Sequence, residues 1–226
     1  MHIEPHVVEG AKVALSYGTA VAAFGLTIQF IKDALKQDGV IALVMKTLIA
    51  TLCVFSFFEV LPHYPVGVSE VHLILGSTLF LIFGLAPTAI ALAAGLLVQG
   101  VLFAQFDLPQ YGMNVTTLIV PLYAMSVVAK NIIPENVAYK DVTYSQALKL
   151  SVVYQGGIVT WVGFWAVYGQ GLGSENLQQV LSFGGAYMSV ILLEPLVDLG
   201  VLAGAKVFAG LKDTGLVAKR LYTANA

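Results

Sequence analysis

Apolar residues occupy long runs along this chain, and polar residues collect in the short segments between them. A helical run of about 20 apolar residues covers the roughly 30 Å of hydrocarbon in a bilayer. Prolines lie at or near most of the proposed boundaries, where helices tolerate them. The pattern predicts an all-α polytopic membrane protein with seven transmembrane helices, at about 13–31, 39–58, 68–84, 87–105, 113–128, 148–168 and 180–208.

Composition agrees with this fold class. Hydrophobic residues make up 58% of the 226 residues and charged residues only 11%, whereas soluble domains carry about 25% charged residues. The chain length fits one membrane domain. A net charge of −2 gives no reason to expect a nucleic-acid partner. The single cysteine, Cys53, lies inside an apolar run and cannot form an internal disulfide.

Basic residues set the expected orientation. Segments 47–129 and 150–205 contain no lysine or arginine. With seven spans, the basic loops all fall on one side of the membrane, and the loops that alternate with them are free of basic charge. The positive-inside rule then places the N-terminus outside and the C-terminus in the cytoplasm. The loops and tail on the cytoplasmic side hold Lys32, Lys36, Lys130, Lys140, Lys149, Lys206, Lys212, Lys219 and Arg220.

The first nine residues are unusual for so apolar a chain. They bring a free amine, two imidazoles and two carboxylates before the first apolar run. They lack the basic start and cleavage site of a removable signal, so we expect them to remain on the protein. We therefore divide the chain into a metal-binding segment at 1–9, a seven-helix bundle at 10–211 and a cytoplasmic tail at 212–226.

The expected topology gathers all four histidines at the outer face, together with six of the thirteen acidic residues. A face rich in imidazole and carboxylate concentrates divalent cations. The alternative is that these residues merely decorate the membrane interface. His72 enters the short third span, so it is expected to lie below the surface. The histidines are His2, His6, His63 and His72, and the acids are Glu4, Glu9, Glu59, Glu70, Asp107 and Glu175.

Four short stretches resemble the CbiM/NikM family, the substrate-specific membrane subunits of energy-coupling-factor (ECF) cobalt and nickel importers. They are Met1-His2-Ile3, Gly10-Ala11-Lys12, Ser69-Glu70-Val71-His72 and Gly112-Met113-Asn114. The resemblance implies a seven-helix fold whose N-terminal segment folds into the outer mouth. It also implies that the metal is held by the Met1 amine, the His2 backbone nitrogen, the His2 imidazole and the His72 imidazole. Asn114 would then orient these ligands.

The implied ligand set is chemically coherent. An amine, the next amide nitrogen and the imidazole of that same residue close fused chelate rings around one cation, and His72 fills the remaining position in the plane. Four nitrogens in a plane suit Ni²⁺ or Cu²⁺ better than Mg²⁺ or Ca²⁺, and Co²⁺ is acceptable; relative affinity alone would not reject copper. The chain departs from the family at Glu4-Pro5-His6 and at 193–198. His6, His63 and Glu70 are additional candidates for the metal or its surroundings.

The resemblance and the missing motifs together predict a transport subunit of the bacterial inner membrane and not an enzyme. No phosphate-binding loop of the G-x-x-x-x-G-K-[ST] type occurs in the sequence. We therefore expect separate coupling and ATPase subunits as partners, cobalt or nickel as the substrate, and no organic cofactor. Two alternatives remain open: a membrane subunit of a haem- or copper-binding redox complex, and a passive metal channel.

Three charged residues fall within predicted spans: Lys46, Glu194 and Asp198. A charge at the centre of a membrane helix costs about 2.5–3.5 kcal/mol on insertion scales, so it is normally paired inside the bundle. We expect Lys46 to pair with Glu194 or Asp198, or else to extend toward the cytoplasmic side.

Overall fold

A computed structural model describes residues 2–224 of the chain. Its main elements are eight α-helices and one small two-stranded sheet. Short 3₁₀ turns connect several of them, at Gly10–Val13, Gln105–Gln110, Tyr139–Asp141, Ser189–Leu192 and Ala209–Asp213. In chain order the elements are α1 (Ala14–Glu59), β1 (Tyr64–Val66), β2 (Ser69–Val71), α2 (Gly76–Phe83), α3 (Leu85–Leu102), α4 (Tyr111–Ile132), α5 (Tyr144–Gln170), α6 (Ser174–Met188), α7 (Glu194–Val207) and α8 (Lys219–Tyr222).

Five stretches are long and apolar enough to cross a membrane. They account for six of the seven expected spans, because the first stretch contains two of the apolar runs. The protein is therefore an all-α, multi-pass membrane protein. The stretches are Gly10–Glu59, Leu85–Leu102, Gln105–Ile132, Tyr144–Gln170 and Ser174–Val207.

Helix α1 is folded back on itself at Gly39. This glycine has φ 80° and ψ 171°, a conformation that residues with a Cβ rarely adopt. Ser16, near the start of α1, packs against Gly112 at the start of α4. Phe58, near its end, accepts a hydrogen bond from Gln99 near the end of α3. Since the turn Gln105–Gln110 joins α3 directly to α4, both ends of α1 lie at the same end of the bundle.

The two ends of the bundle differ in their polar residues. We call the end that holds His2, Gln99 and the start of α4 the histidine end. The opposite end holds the Gly39 bend and the lysines around it, and we call it the lysine end. There Lys219 lies 3.3 Å from Asp38.

The expectation of a helical third span over 68–84 is wrong. Strands β1 and β2 form an antiparallel hairpin with Tyr64 opposite Val71, and α2 contributes only eight residues. Valines at 66, 68 and 71 favour extended backbone, and Gly67, with φ 62°, makes the tight turn. An eight-residue helix is about 12 Å long, less than half the thickness of the bilayer core.

The expected partner of Lys46 is also corrected. Its Nζ lies 2.7 Å from Asp38 Oδ2, and the lysine side chain is 1% exposed. The bend at Gly39 brings Asp38 beside the second half of α1. Glu194 and Asp198 instead contact α5 and α2, so neither carboxylate is available to this lysine.

The end of the chain packs onto the lysine end of the bundle. The Ala218 amide donates a hydrogen bond of 2.7 Å to the Ile82 carbonyl at the end of α2. The Arg220 guanidinium lies 4.9 Å from the centre of the Tyr139 ring. Most of the expected tail at 212–226 is thus folded against the bundle, and Asn225 and Ala226 fall outside the described residues.

Candidate metal centre

The N-terminal segment docks on the hairpin as a short additional strand. Ile3 pairs antiparallel with Ser69 of β2. The His2 carbonyl accepts hydrogen bonds from the Glu70 amide (3.0 Å) and from the Ser69 hydroxyl (2.9 Å). The Glu4 amide donates to the Val68 carbonyl at 3.2 Å. This register sets His2 opposite Glu70, while the predicted ligand Met1 lies outside the described residues.

Two helices hold the same segment from the other side. The Asn114 side-chain oxygen on α4 accepts a hydrogen bond of 2.9 Å from the Ile3 amide. On α5, a Cβ added to Gly169 would lie only 1.8 Å from the Val7 carbonyl oxygen, so the segment rests directly on the helix backbone. Ile3, Val7 and Val8 are buried. The close approach at Gly169 explains why the segment fits against this helix.

Docking places His2, Glu70 and His72 in one cluster. One potential ligand atom from each residue lies within 4.8 Å of the other two. The two imidazole rings are 5.7 Å apart between centroids, and the side chains of His2 and His72 are 3% and 1% exposed. Phe58 presents its ring to both imidazoles. The cluster is therefore shielded from water, and it offers imidazole nitrogen and carboxylate oxygen together.

His72 has one nitrogen engaged and one free. Its Nε2 lies 2.9 Å from Glu70 Oε2, and its Nδ1 is buried without a hydrogen-bond partner among residues 2–224. Burial lowers the pKa of the His72 imidazole, and His2 and His63 nearby lower it further. A lowered pKa favours the neutral ring. A neutral ring that donates its Nε2–H to the carboxylate keeps the Nδ1 lone pair available for a metal.

His2 is oriented in the corresponding way by Gln99. The Gln99 amide nitrogen points to the Phe58 carbonyl and to Glu59 Oε2, each at 3.3 Å. Its oxygen is thereby left to accept from His2 Nε2, at 2.8 Å. The Nδ1 atom of His2 lies 2.9 Å from Asp107 Oδ2 without the geometry of a hydrogen bond, so the Asp107 carboxylate lies beside the histidine cluster.

The remaining candidate residues lie around the cluster. His63 stacks face to face on His72, with centroids 4.7 Å apart and ring planes 9° from parallel. Its Nδ1 is 3.3 Å from the Leu61 carbonyl oxygen. His6 is exposed, and its backbone carbonyl accepts a hydrogen bond of 3.3 Å from Gln170 Nε2. Asn114 contacts the backbone of the docked segment and so positions it.

Sequence reasoning missed Gln99 and did not predict the contact that Asp107 makes with His2. Gln99 belongs to the otherwise apolar helix α3, so the sequence pattern does not single it out. The feature that could have identified it is a buried amide side chain one turn before the helix ends. Asp107 was counted among the acids of the outer face, but its contact with His2 depends on a 3₁₀ turn that no pattern predicted. The charged pair Glu194 and Asp198 lies elsewhere, on α7 against α2 and α5.

A cluster of two buried imidazoles and a carboxylate at one end of an apolar helical bundle makes this a candidate metal site in an integral membrane protein. The family model for CbiM, the cobalt uptake substrate-specific transmembrane region, matches residues 2–208. The chain therefore belongs to the CbiM family, and it is a membrane component of cobalt uptake, a transporter component rather than an enzyme. Searches of curated proteins and of solved structures gave no match.

Proposed function

We propose that this protein captures Co²⁺ or Ni²⁺ at the histidine end of the bundle and is the substrate-binding subunit of an ECF-type importer. The ligands are the Met1 amine, the His2 amide nitrogen, His2 Nδ1 and His72 Nδ1. One observation carries this proposal. His2 and His72 lie close together and are both buried. In each ring one nitrogen is hydrogen-bonded, while Nδ1 has no hydrogen bond among residues 2–224.

The donor set favours a transition metal over the abundant hard cations. Imidazole suits Co²⁺ and Ni²⁺, whereas Mg²⁺ and Ca²⁺ prefer oxygen ligands. Amine, amide and imidazole nitrogens of Met1 and His2 close two fused chelate rings, and His72 completes a plane of four nitrogens. Glu70 accepts the opposite N–H of His72, the kind of partner that fixes a metal-binding imidazole.

The orientation follows from the positive-inside rule. Lys46 and Lys219 lie at the lysine end, around Asp38, while the histidine end holds the metal cluster. We place the lysine end in the cytoplasm and the histidine end outside the cell. On this proposal the chain crosses seven times, and the short helix α2 lies in the third crossing.

Energy for uptake comes from other chains. The sequence contains no phosphate-binding loop, so ATP hydrolysis belongs to partner ATPase subunits, and a membrane coupling subunit links them to this protein. We place the assembly in the bacterial cytoplasmic membrane. The role of this subunit is selective capture of the ion before it is released inside.

The test is equilibrium binding of Co²⁺ and Ni²⁺ to purified protein whose first residue is Met1. His2→Ala and His72→Ala should each abolish high-affinity binding. His6→Ala is the matched control, because His6 belongs to the same segment but is exposed. If both cluster variants bind as tightly as the unchanged protein, the proposed site is wrong.

A further inference from the structure

A second polar cluster lies inside the bundle, where α7 meets α2 and α5. Glu194 and Asp198 are one helical turn apart on α7, so they share one face. Both are 0% exposed. They face hydroxyl and amide side chains on the two neighbouring helices, namely Ser77 and Thr78 on α2 and Ser151 and Gln155 on α5.

Each carboxylate is held by donors from its neighbours. The Ser77 hydroxyl donates to Asp198 Oδ2 at 2.9 Å, and the Thr78 hydroxyl donates to Oδ1. The Ser151 hydroxyl donates to Glu194 Oε2, which also accepts from Gln155 Nε2 at 2.8 Å. The carboxylates are thus fixed in position by three helices.

Several oxygens of this cluster have no hydrogen-bond partner among residues 2–224, although they are buried. They include Glu194 Oε1 and Gln155 Oε1. The Gln155 oxygen shares its carbon with the Nε2 that contacts Glu194, so it lies beside the same carboxylate. Buried polar atoms are normally paired, and an unpaired group indicates a ligand such as an ion or water. The hydroxyls of Tyr154 and Tyr187 are buried without partners as well.

No basic side chain accompanies the acidic pair. Within residues 2–224, no lysine, arginine or histidine forms an ion pair with Glu194 or Asp198. Burying unpaired carboxylates in an apolar interior is costly. One divalent cation neutralises two carboxylates. The available donors are carboxylate, amide and hydroxyl oxygens, so the site would take the cation through oxygen rather than nitrogen.

The same short segment of chain reaches both clusters. His72 lies at the metal centre, and Ser77 and Thr78 lie at the acidic pair, five or six residues further on. Fully extended, five residues span about 17 Å. Between them Leu75 has φ 55°, the single non-glycine residue with positive φ in the described chain. A bulky apolar side chain in the left-handed region is strained, so this connection is held by its surroundings on both sides.

We propose that Glu194, Asp198 and Gln155 form a second divalent-cation site, which binds through oxygen ligands. Its use as an inner station for the transported ion rests on the proposed function, but its existence as a binding site does not. It would hold Co²⁺ more weakly than the nitrogen site, because Co²⁺ gains more from imidazole than from oxygen.

The experiment measures Mn²⁺ binding to the full chain by electron paramagnetic resonance, since Mn²⁺ favours oxygen ligands. We expect one bound Mn²⁺ per chain in the unchanged protein and in His72→Ala. Glu194→Gln, Asp198→Asn and Gln155→Leu should each weaken Mn²⁺ binding at least tenfold. Glu175→Gln, an exposed acid at the start of α6, is the matched control and should change nothing.

Co²⁺ binding at the histidine cluster shows whether the acid variants are folded. It also allows the second site and the proposed function to be tested separately. Loss of Mn²⁺ in the acid variants, with tight Co²⁺ binding retained, supports the second site. Loss of Mn²⁺ specific to these variants supports it even if His2 and His72 prove irrelevant to Co²⁺. Absence of Mn²⁺ binding in the unchanged protein, or binding that survives both Glu194→Gln and Asp198→Asn, overturns it.

Discussion

The histidine cluster and the acidic pair differ in how the fold assembles them. His2 and His72 are far apart in sequence and meet only because the N-terminal segment pairs with β2. Glu194 and Asp198 are one turn apart on a single helix, so local geometry alone places them together. The first site is lost if a few residues at the N-terminus move, whereas the two carboxylates of the second stay together as long as α7 is helical, and α2 and α5 supply the groups around them.

The two sites also differ in the ligand atoms they offer. Buried imidazole nitrogens select transition metals, and carboxylate and amide oxygens accept divalent ions with less discrimination. A site that must pick a scarce ion from a mixture benefits from the first chemistry. A site deeper in the bundle benefits from looser binding, because the ion must also leave. On these two proposals, selection of the ion and its passage through the bundle are served by different ligands.

The largest effect is expected from adding one residue before Met1. Such an extension removes the primary amine and with it one of the fused chelate rings that we propose. High-affinity Co²⁺ binding should fall by more than about a hundredfold, since loss of a partner outside the ligand shell already costs about 10–100-fold. Mn²⁺ binding at the acidic pair should be unchanged. Calorimetric titration of extended and unextended protein checks both, and unaltered Co²⁺ affinity would remove the amine from the ligand set.

A smaller effect is expected from Gln99→Leu. The variant leaves His2 Nε2 without its acceptor, so the ring is no longer held with Nδ1 toward the metal. Co²⁺ affinity should fall about 10–100-fold, as it does when other partners of metal-binding histidines are removed. Gln105→Leu is the control, because that side chain is exposed and contacts only the Val101 carbonyl. Equal affinities for the two variants would contradict the role given to Gln99.

The variant Gly169→Ala should weaken metal binding at the histidine cluster, although Gly169 is not part of that cluster. In Gly169→Ala the added methyl would meet the Val7 carbonyl, and the docked segment must shift to relieve the contact. We expect Co²⁺ binding about tenfold weaker, which corresponds to about 1.4 kcal/mol. Gly156→Ala on the same helix is the control, since nothing lies within 4 Å of its added Cβ. Co²⁺ titration of both variants measures the difference, and Mn²⁺ binding should be the same in the two.

The sequence predicted the parts of this molecule that depend on apolar length. The runs at 87–105, 113–128 and 148–168 correspond to α3, α4 and α5. It failed at 68–84, where mean hydropathy does not distinguish an apolar hairpin from an apolar helix. For the same reason the sequence did not predict that His72 lies beside His2, because this contact depends on strand register rather than on helical periodicity.

The polar partners were harder to predict than the ligand candidates. His2 and His72 were identifiable because imidazoles are rare in this chain. Gln99 and Asp107 act through contacts over long sequence distances, of 97 residues in the first case. Of the two expectations for Lys46, pairing with Glu194 or Asp198 is wrong, because the bend at Gly39 brings Asp38 beside its Nζ at the lysine end. Such pairings follow from tertiary structure and leave no local signal.

The smallest effect concerns pH, and it acts through the His72 imidazole. Burial lowers the pKa of His72, so in the metal-free protein this ring should stay neutral as the pH falls from 8 to 5. Its nuclear magnetic resonance signals should not titrate over that range, and His72→Gln should remove them. Because the folded chain then binds fewer protons at this ring than the unfolded chain, acid below pH about 6.5 should destabilise the metal-free protein. That destabilisation should be weaker in His72→Gln. A His72 ring that titrates near its ordinary value would mean that the histidine cluster is open to water in the metal-free protein.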